Sequence, residues 1–175
     1  MSVKDPRTLL HIRDLGMGVE DWDWKHPVEL QDYAWDCAAA STAWALQAAG
    51  IPYTEDEVIA GLGPTRISPT LGLLDASGAG IVDWLATIGV HAQNVADASF
   101  ADLEAAAGFQ PMLCGGRGWY HWTGLRMGGP AFNGTPRGLL LLANPAPGYQ
   151  GIGQYLTESA ALVLGPWSAV WFTSW

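Results

Sequence analysis

Small and apolar residues fill one long stretch in the first third of the chain, CAAASTAWALQAA at residues 37–49. Asp36 precedes the stretch as a candidate N-cap, and Gly50 and Pro52 follow it as stop signals. This pattern predicts a buried helix over residues 37–49.

Two further helices are predicted from the residues that follow. Thr54 and Glu57 have the spacing of a capping box, which predicts a short helix that ends near Gly61 or Gly63. Apolar residues at helical spacing predict a helix over residues 79–88. The segment between these two helices, residues 66–80, is predicted to be a loop.

The pattern then changes from helix to sheet. A strand is predicted near residues 90–95, and Ser99 is the expected cap of a fourth helix over residues 100–107. Later apolar runs are bounded by Gly and Pro, and they predict strands at 111–115, 120–127 and 138–144, then a helix at 157–164 and a strand at 168–173. Asn133-Gly134 predicts a turn between two of these strands. Helices come first and antiparallel strands second, so the predicted fold class is α+β.

The composition fits one folded domain. The chain has 175 residues, of which 49% are hydrophobic and 14% charged, enough for a core and unlike a disordered chain. We expect residues 1–27, rich in Asp, Trp and Pro, to form an arm packed on a domain that spans residues 28–175.

The charge narrows the range of partners. Eight Lys and Arg against 17 Asp and Glu give a net charge of −9, so a nucleic-acid partner is not expected. The residues contain neither a signal peptide nor an apolar run of membrane-spanning length. We therefore expect no membrane partner and a cytoplasmic location by default, with the oligomeric state left open.

Cys37 is the first candidate for chemistry, because the predicted helix begins on its thiol. A free thiol has a pKa of about 8.5, and a helix N-terminus lowers that value by stabilising the anion. Most lone cysteines are simply small buried hydrophobes, which is what we expect of Cys114. The interpretation of Cys37 as a nucleophile therefore depends on its partners.

His121 and Asn144 supply those partners. His121 lies in GGRGWYHWTGLR, at the start of a predicted strand and after a glycine-rich approach that leaves room for a substrate. Asn144 ends the next strand, in LLLLANP, and two neighbouring antiparallel strands would bring the amide beside the imidazole. A carboxamide can accept the ring N–H and orient the ring, as the third member of a catalytic triad does.

Other residues complete the predicted site. Gln31 precedes Cys37 by six positions, and its amide could donate to an oxyanion together with the Cys37 backbone N–H. Three tryptophans flank these positions and are candidates for a substrate groove: Trp35, Trp119 and Trp122. No His and Cys cluster has metal-ligand spacing, so neither a metal nor another cofactor is expected.

These motifs, in this order, resemble the papain-like cysteine peptidases, and among them the compact bacterial C39-like branch. The resemblance covers roughly residues 28–173: a glutamine and then DC before an alanine-rich helix, then HWTGLR, then LLLLANPAPG. It implies a papain-like fold, a peptide or protein substrate, Cys37 as nucleophile, His121 as general base and acid, Asn144 as orienting residue and Gln31 as oxyanion donor. Ala38 and Asn144 stand where the branch often has Gly and Asp.

Three functions stay open at this point. The first is a cysteine peptidase or related amide hydrolase that works through a thioester acyl-enzyme. The second keeps the chemistry but changes the substrate, as in a cell-wall amidase of the NlpC/P60 kind or a transglutaminase-like acyltransferase. The third is a catalytically inactive module that binds a peptide or glycan in a tryptophan-lined groove.

Overall fold

The computed structural model describes residues 10–11, 30–106, 112–116, 120–128, 139–146 and 154–175. The helices are α1 (Cys37–Ala48), α2 (Glu55–Leu62), α3 (Ala79–Thr87), α4 (Phe100–Ala106) and α5 (Glu158–Leu164). The strands are β1 (Leu10–His11), β2 (Ile67–Ser68), β3 (Gly72–Leu73), β4 (His91–Ala98), β5 (Met112–Gly116), β6 (His121–Gly128), β7 (Leu139–Ala143), β8 (Gln154–Thr157) and β9 (Trp167–Ser174).

Seven strands form one sheet in the order β1-β8-β7-β6-β5-β9-β4, and every neighbouring pair is antiparallel. The first three helices precede every strand of this sheet except β1, which confirms the predicted α+β class. The centre of the sheet pairs β6 with both β5 and β7, so the strand that begins at His121 lies beside the strand that leads to Asn144.

Helix α1 is the centre of the core. Ten of its residues, Cys37 through Leu46, are buried, which explains why the sequence has no polar stripe there. Trp44 of this helix lies directly over Gly124 of β6, where any Cβ would overlap the indole ring. The missing side chain at Gly124 thus lets α1 approach the sheet closely, and that approach brings Cys37 to the start of β6.

Each face of the sheet has its own apolar cluster. Alternate residues of β6 and β7 point to opposite faces, as the strand period of two requires. Trp122 and Ala143 pack with α1 and α3, whereas Leu125 and Leu142 pack in the cluster that α4 and α5 cover. The candidate site lies at the edge of the first cluster.

The helix caps confirm most of the boundaries. Thr54 and Glu57 form the predicted capping box, and Ser99 exchanges hydrogen bonds with Asp102 in the same way. Asp36 stands at the N-cap position of α1, but its side chain does not cap the helix. It accepts instead from the backbone N–H of Tyr33, at 2.9 Å, so the expected capping role was wrong.

Two segments differ from the predicted pattern. Residues 66–80 are not only a loop, because β2 and β3 pair within them as a two-residue ribbon. Strand β8 was not predicted, and β1 pairs with it as Leu10 with Tyr155 and His11 with Gln154. Apart from Leu10–His11 the predicted arm over residues 1–27 lies outside the described residues, as does the predicted Asn133-Gly134 turn.

The close approach at Gly124 gives a stability prediction. Gly124→Ala should lower the free energy of unfolding by about 1–3 kcal/mol, because the methyl group must displace Trp44 from a packed core. Gly80→Ala is the matched control: it lies in α3, its Cβ would meet Arg66 at an ordinary 3.4 Å, and alanine favours helix. Urea denaturation of both variants checks this, and an equal loss in both would contradict it.

Candidate active site

Cys37 is the first residue of α1, and its sulfur meets the start of β6. The backbone N–H of Trp122 points at Sγ with an N to S distance of 3.5 Å. Trp122 follows His121 directly, so this contact joins the helix that carries the thiol to the strand that carries the imidazole. Cys37 itself is only 9% exposed.

His121 and Asn144 form the predicted pair. His121 Nε2 and Asn144 Oδ1 are 2.7 Å apart, and Asn144 is 1% exposed. The same oxygen accepts from the backbone N–H of Ala146 at 2.9 Å. Because an N–H can only donate, that contact identifies the atom facing His121 as the amide oxygen and makes Nε2 the protonated ring nitrogen. In the neutral ring the basic nitrogen is then Nδ1.

A cleft of about 380 Å³ lies over these residues. Cys37 and His121 both line it, so the thiol and the imidazole share one opening. The β2–β3 ribbon forms one wall, and glycines of β5 form another. The lining also includes Trp35, Trp122, Leu71, Gly115 and Tyr120.

The thiol has a high proton affinity at rest. Burial raises the pKa of Cys37 to about 11, while hydrogen bonds from the Trp122 and Ala38 backbone N–H groups lower it, and the negative charge of Asp36 raises it further. The N–H groups at the helix N-terminus act as predicted, but desolvation of the anion outweighs them. The expectation that the helix start alone lowers the thiol pKa was therefore wrong.

The imidazole is shifted toward its neutral form. Burial lowers the pKa of His121, and the hydrogen bond to Asn144 opposes that shift. A neutral imidazole at neutral pH is a base that can take a proton. Both shifts therefore favour the uncharged forms of these groups, the protonated thiol and the neutral imidazole.

Gln31 lies near the site, and both its backbone N–H and its side-chain amide donate hydrogen bonds to backbone carbonyl groups. Its backbone N–H donates to the carbonyl of Pro145 at 2.9 Å, and its side-chain Nε2 donates to the carbonyl of Tyr33 at 2.5 Å. Gln31 is 7% exposed, and its position joins the loop before Cys37 to the turn after Asn144. An amide nitrogen has two hydrogens, so one hydrogen is not used in the bond to Tyr33.

The predicted tryptophans divide into three cases. Trp35 lines the cleft and stacks on Tyr33, with ring centroids 5.6 Å apart. Trp122 also lines the cleft but is 7% exposed, so it forms the floor and belongs to the core. Trp119 lies outside the described residues.

Two further groups of the site are backbone N–H groups, which a search for side-chain motifs in the sequence does not identify. They are the N–H of Trp122, which contacts the sulfur, and the N–H of Ala146, which fixes the Asn144 amide. The only sequence signal for the second is Pro145, which predicts a turn after the strand.

Across the described ranges, no group of three or more His, Cys, Asp or Glu side chains is arranged to hold a metal ion. Within that same part of the chain, no helix has the length and apolar character needed to cross a bilayer.

Comparison with known proteins places this fold. No protein-family model matches the chain, and no curated protein matches it. Solved structures do match. One is a double glycine motif protease from an AMS/PCAT transporter in complex with its leader peptide, at 15% identity and a TM-score of 0.59, covering 83% of this chain and 90% of that one.

A second is the peptidase domain of Streptococcus ComA, a bi-functional ABC transporter involved in a quorum sensing pathway. It is 15% identical, with a TM-score of 0.60, and the match covers 86% of this chain and 99% of that domain. The fold is therefore that of the papain-like C39 peptidase domains, as the sequence resemblance implied.

Proposed function

We infer that this protein is a cysteine peptidase that cleaves a peptide-like substrate through a thioester acyl-enzyme. One observation carries the proposal: Cys37 and His121 open into a single cleft, and Asn144 holds the imidazole from behind at 2.7 Å. The C39-like fold and the leader peptide bound to one structural neighbour support a peptide as substrate.

The first step needs a base, because the buried thiol keeps its proton. His121 Nδ1 would take the proton from Sγ as the sulfur attacks the substrate carbonyl carbon. The tetrahedral oxyanion would accept hydrogen bonds from the Cys37 backbone N–H and from the second hydrogen of the Gln31 side-chain amide. The C–N bond then breaks, and the imidazolium gives its proton to the leaving amine.

The second step regenerates the thiol. Water would lose a proton to His121 and attack the thioester carbonyl, and the departing sulfur would recover that proton. Asn144 contributes by keeping Nε2 protonated, so that Nδ1 always faces the chemistry as the basic nitrogen.

Hydrolysis in H₂¹⁸O tests this proposal and separates it from its alternatives. Peptides, purified peptidoglycan, and casein with an amine acceptor would be offered in parallel, and products would be identified by mass spectrometry. A peptidase yields a peptide with one ¹⁸O in its new carboxyl group. Release from peptidoglycan alone would indicate an amidase, amine incorporation a transferase, and binding without turnover an inactive module; each of these would overturn the proposal.

The role of Asn144 gives a prediction for activity. Asn144→Ala should lower kcat by roughly 5–150-fold, because the N–H groups of His121 and Ala146 both lose the oxygen to which they donate, a cost of about 1–3 kcal/mol. Asn144→Asp keeps the acceptor and should retain more activity. Steady-state peptide hydrolysis by both variants checks this, and equal losses would argue against an orienting role.

A further inference from the structure

Two carboxyl groups lie buried against each other beside the nucleophile. Asp36 directly precedes Cys37 and is fully buried, and Glu55, the first residue of α2, is 6% exposed. The nearby Asp36 carboxyl group is one of the causes that raise the pKa of Glu55, so the two side chains lie close together. The pair therefore joins the N-terminus of α1 to that of α2.

The buried, unpaired oxygens of the pair favour a proton shared between the two carboxyl groups. Asp36 Oδ2 accepts the Tyr33 N–H, but the other oxygen, Oδ1, is buried and meets no donor in the part of the chain that the structure describes. Glu55 Oε1 is likewise buried and meets no donor among the described residues. Two ionised carboxylates in contact would repel, whereas one carboxylic acid donating to one carboxylate satisfies both oxygens.

The surroundings favour a single negative charge. Burial, followed by the contact with Asp36 and the charges of Asp36 and Asp32, raises the pKa of Glu55 to about 9, and a backbone N–H of Asp32 opposes the shift. Asp56, in the first turn of α2, lines a small pocket together with Glu55 and Asp32. Among the described residues the Cys37 thiol is a further titratable neighbour, and the negative charge of Asp36 raises its pKa.

A chain of hydrogen bonds runs from this pair to the proposed oxyanion donor. Glu55 lies against Asp36, and the Asp36 carboxylate accepts a hydrogen bond from the backbone N–H of Tyr33. The carbonyl of Tyr33 in turn accepts a hydrogen bond from the side-chain amide of Gln31. The backbone of Gln31 in turn donates to Pro145, next to Asn144. Helix α2 is thus connected to the loop that would bind the oxyanion.

We propose that Glu55 is a positioning residue, which stays protonated at neutral pH to donate to Asp36 and so holds the loop of residues 31–36 in place for catalysis. This inference rests on the proposed function of Cys37 and extends it to a residue that touches no substrate. The shared proton also keeps the net charge of the pair at −1, which limits the electrostatic repulsion between the pair and the Cys37 thiolate.

The first test does not depend on catalysis. Infrared difference spectroscopy of the full chain at pH 7 should show the carbonyl stretch of a protonated, buried carboxylic acid, and Glu55→Gln should remove it. Because the folded pKa lies above the unfolded one, this group's contribution to stability is complete below about pH 4.5 and is lost as the pH rises toward 9. The fall in Tm over that range should be shallower in Glu55→Gln.

The second test measures positioning. In Glu55→Gln the amide N–H can donate to Asp36, so kcat for peptide hydrolysis should stay within a few fold of wild type. Glu55→Ala should lower kcat by roughly ten- to hundredfold with little change in KM, because the buried Asp36 carboxylate loses its donor. Wild-type activity should decline above pH 9, and that decline should be absent in Glu55→Gln. Glu57→Gln, on the exposed side of the same helix turn, keeps an acceptor for the capping box and is the matched control.

The outcomes separate the two proposals. No protonated carboxyl at pH 7, an unchanged Tm slope in Glu55→Gln, or Glu55→Ala with wild-type kcat would each overturn the role of Glu55. If wild type has no hydrolytic activity, the peptidase proposal fails, while the infrared and Tm measurements still decide whether the proton is shared. Should Glu55→Ala not fold, the comparison of wild type with Glu55→Gln decides alone.

Discussion

Cys37→Ala is expected to abolish peptide hydrolysis, lowering kcat by about 10⁴-fold or more, the range seen when a covalent nucleophile is removed. The Cys37 thiol lines the cleft, and its sulfur contacts the start of β6. Alanine suits the first turn of an alanine-rich helix, so the variant should fold. Its Tm and activity would be measured together.

The second cysteine provides the matched control. Cys114 lies on β5, opposite Thr123 of β6, and the proposal gives it no chemical role. Cys114→Ala should hydrolyse peptide at close to the wild-type rate. Loss of activity in Cys114→Ala with retention in Cys37→Ala would show that the wrong thiol had been assigned.

His121→Ala should have the second largest effect, and alkylation by iodoacetamide would measure it without a substrate. With His121 present, the imidazole can take the thiol proton as the sulfur attacks the reagent, so Cys37 should react faster at pH 7 than it does in His121→Ala. Without that base, the buried thiol, with its pKa of about 11, is ionised in only roughly one molecule in 10⁴, and Cys37 should react more than about tenfold slower than a free thiol.

The pH dependence gives a second readout of the same variant. Burial lowers the pKa of His121, so the wild-type rate should fall only as the pH drops below the ordinary imidazole range and the base becomes protonated. In His121→Ala that acid limb should vanish, and the rate should keep rising toward pH 11. His91→Ala, on the exposed strand β4, should behave as wild type. Identical profiles for the wild type and His121→Ala would contradict the role of the base.

Local features of this fold were predictable from sequence because they depend on neighbouring residues. The capping box at Thr54 and the cap at Ser99 were identified correctly, as was the start of α1 at Cys37. The pairing of His121 with Asn144 was also predictable, since consecutive strands tend to be neighbours in antiparallel sheets.

Features that depend on tertiary burial were not predictable in the same way. The direction of the Cys37 pKa shift was missed, because the helix N-terminus is a local effect whereas desolvation comes from the strands and loops that cover the thiol. The contact between Asp36 and Glu55 was missed for the same reason. Asp36 was interpreted only as the N-cap of α1, and it is the packing of α2 on α1 that brings Glu55 to it.

The central claim is that Cys37 becomes covalently acylated with help from His121. The most direct measurement is to mix the enzyme with a cleavable peptide, quench in acid, and locate any mass increase by peptide mapping. The account predicts an adduct of the substrate's acyl portion on Cys37, which disappears on continued turnover and does not form in Cys37→Ala. Peptide cleavage that proceeds with no adduct on Cys37, or with the adduct on Cys114, would contradict it.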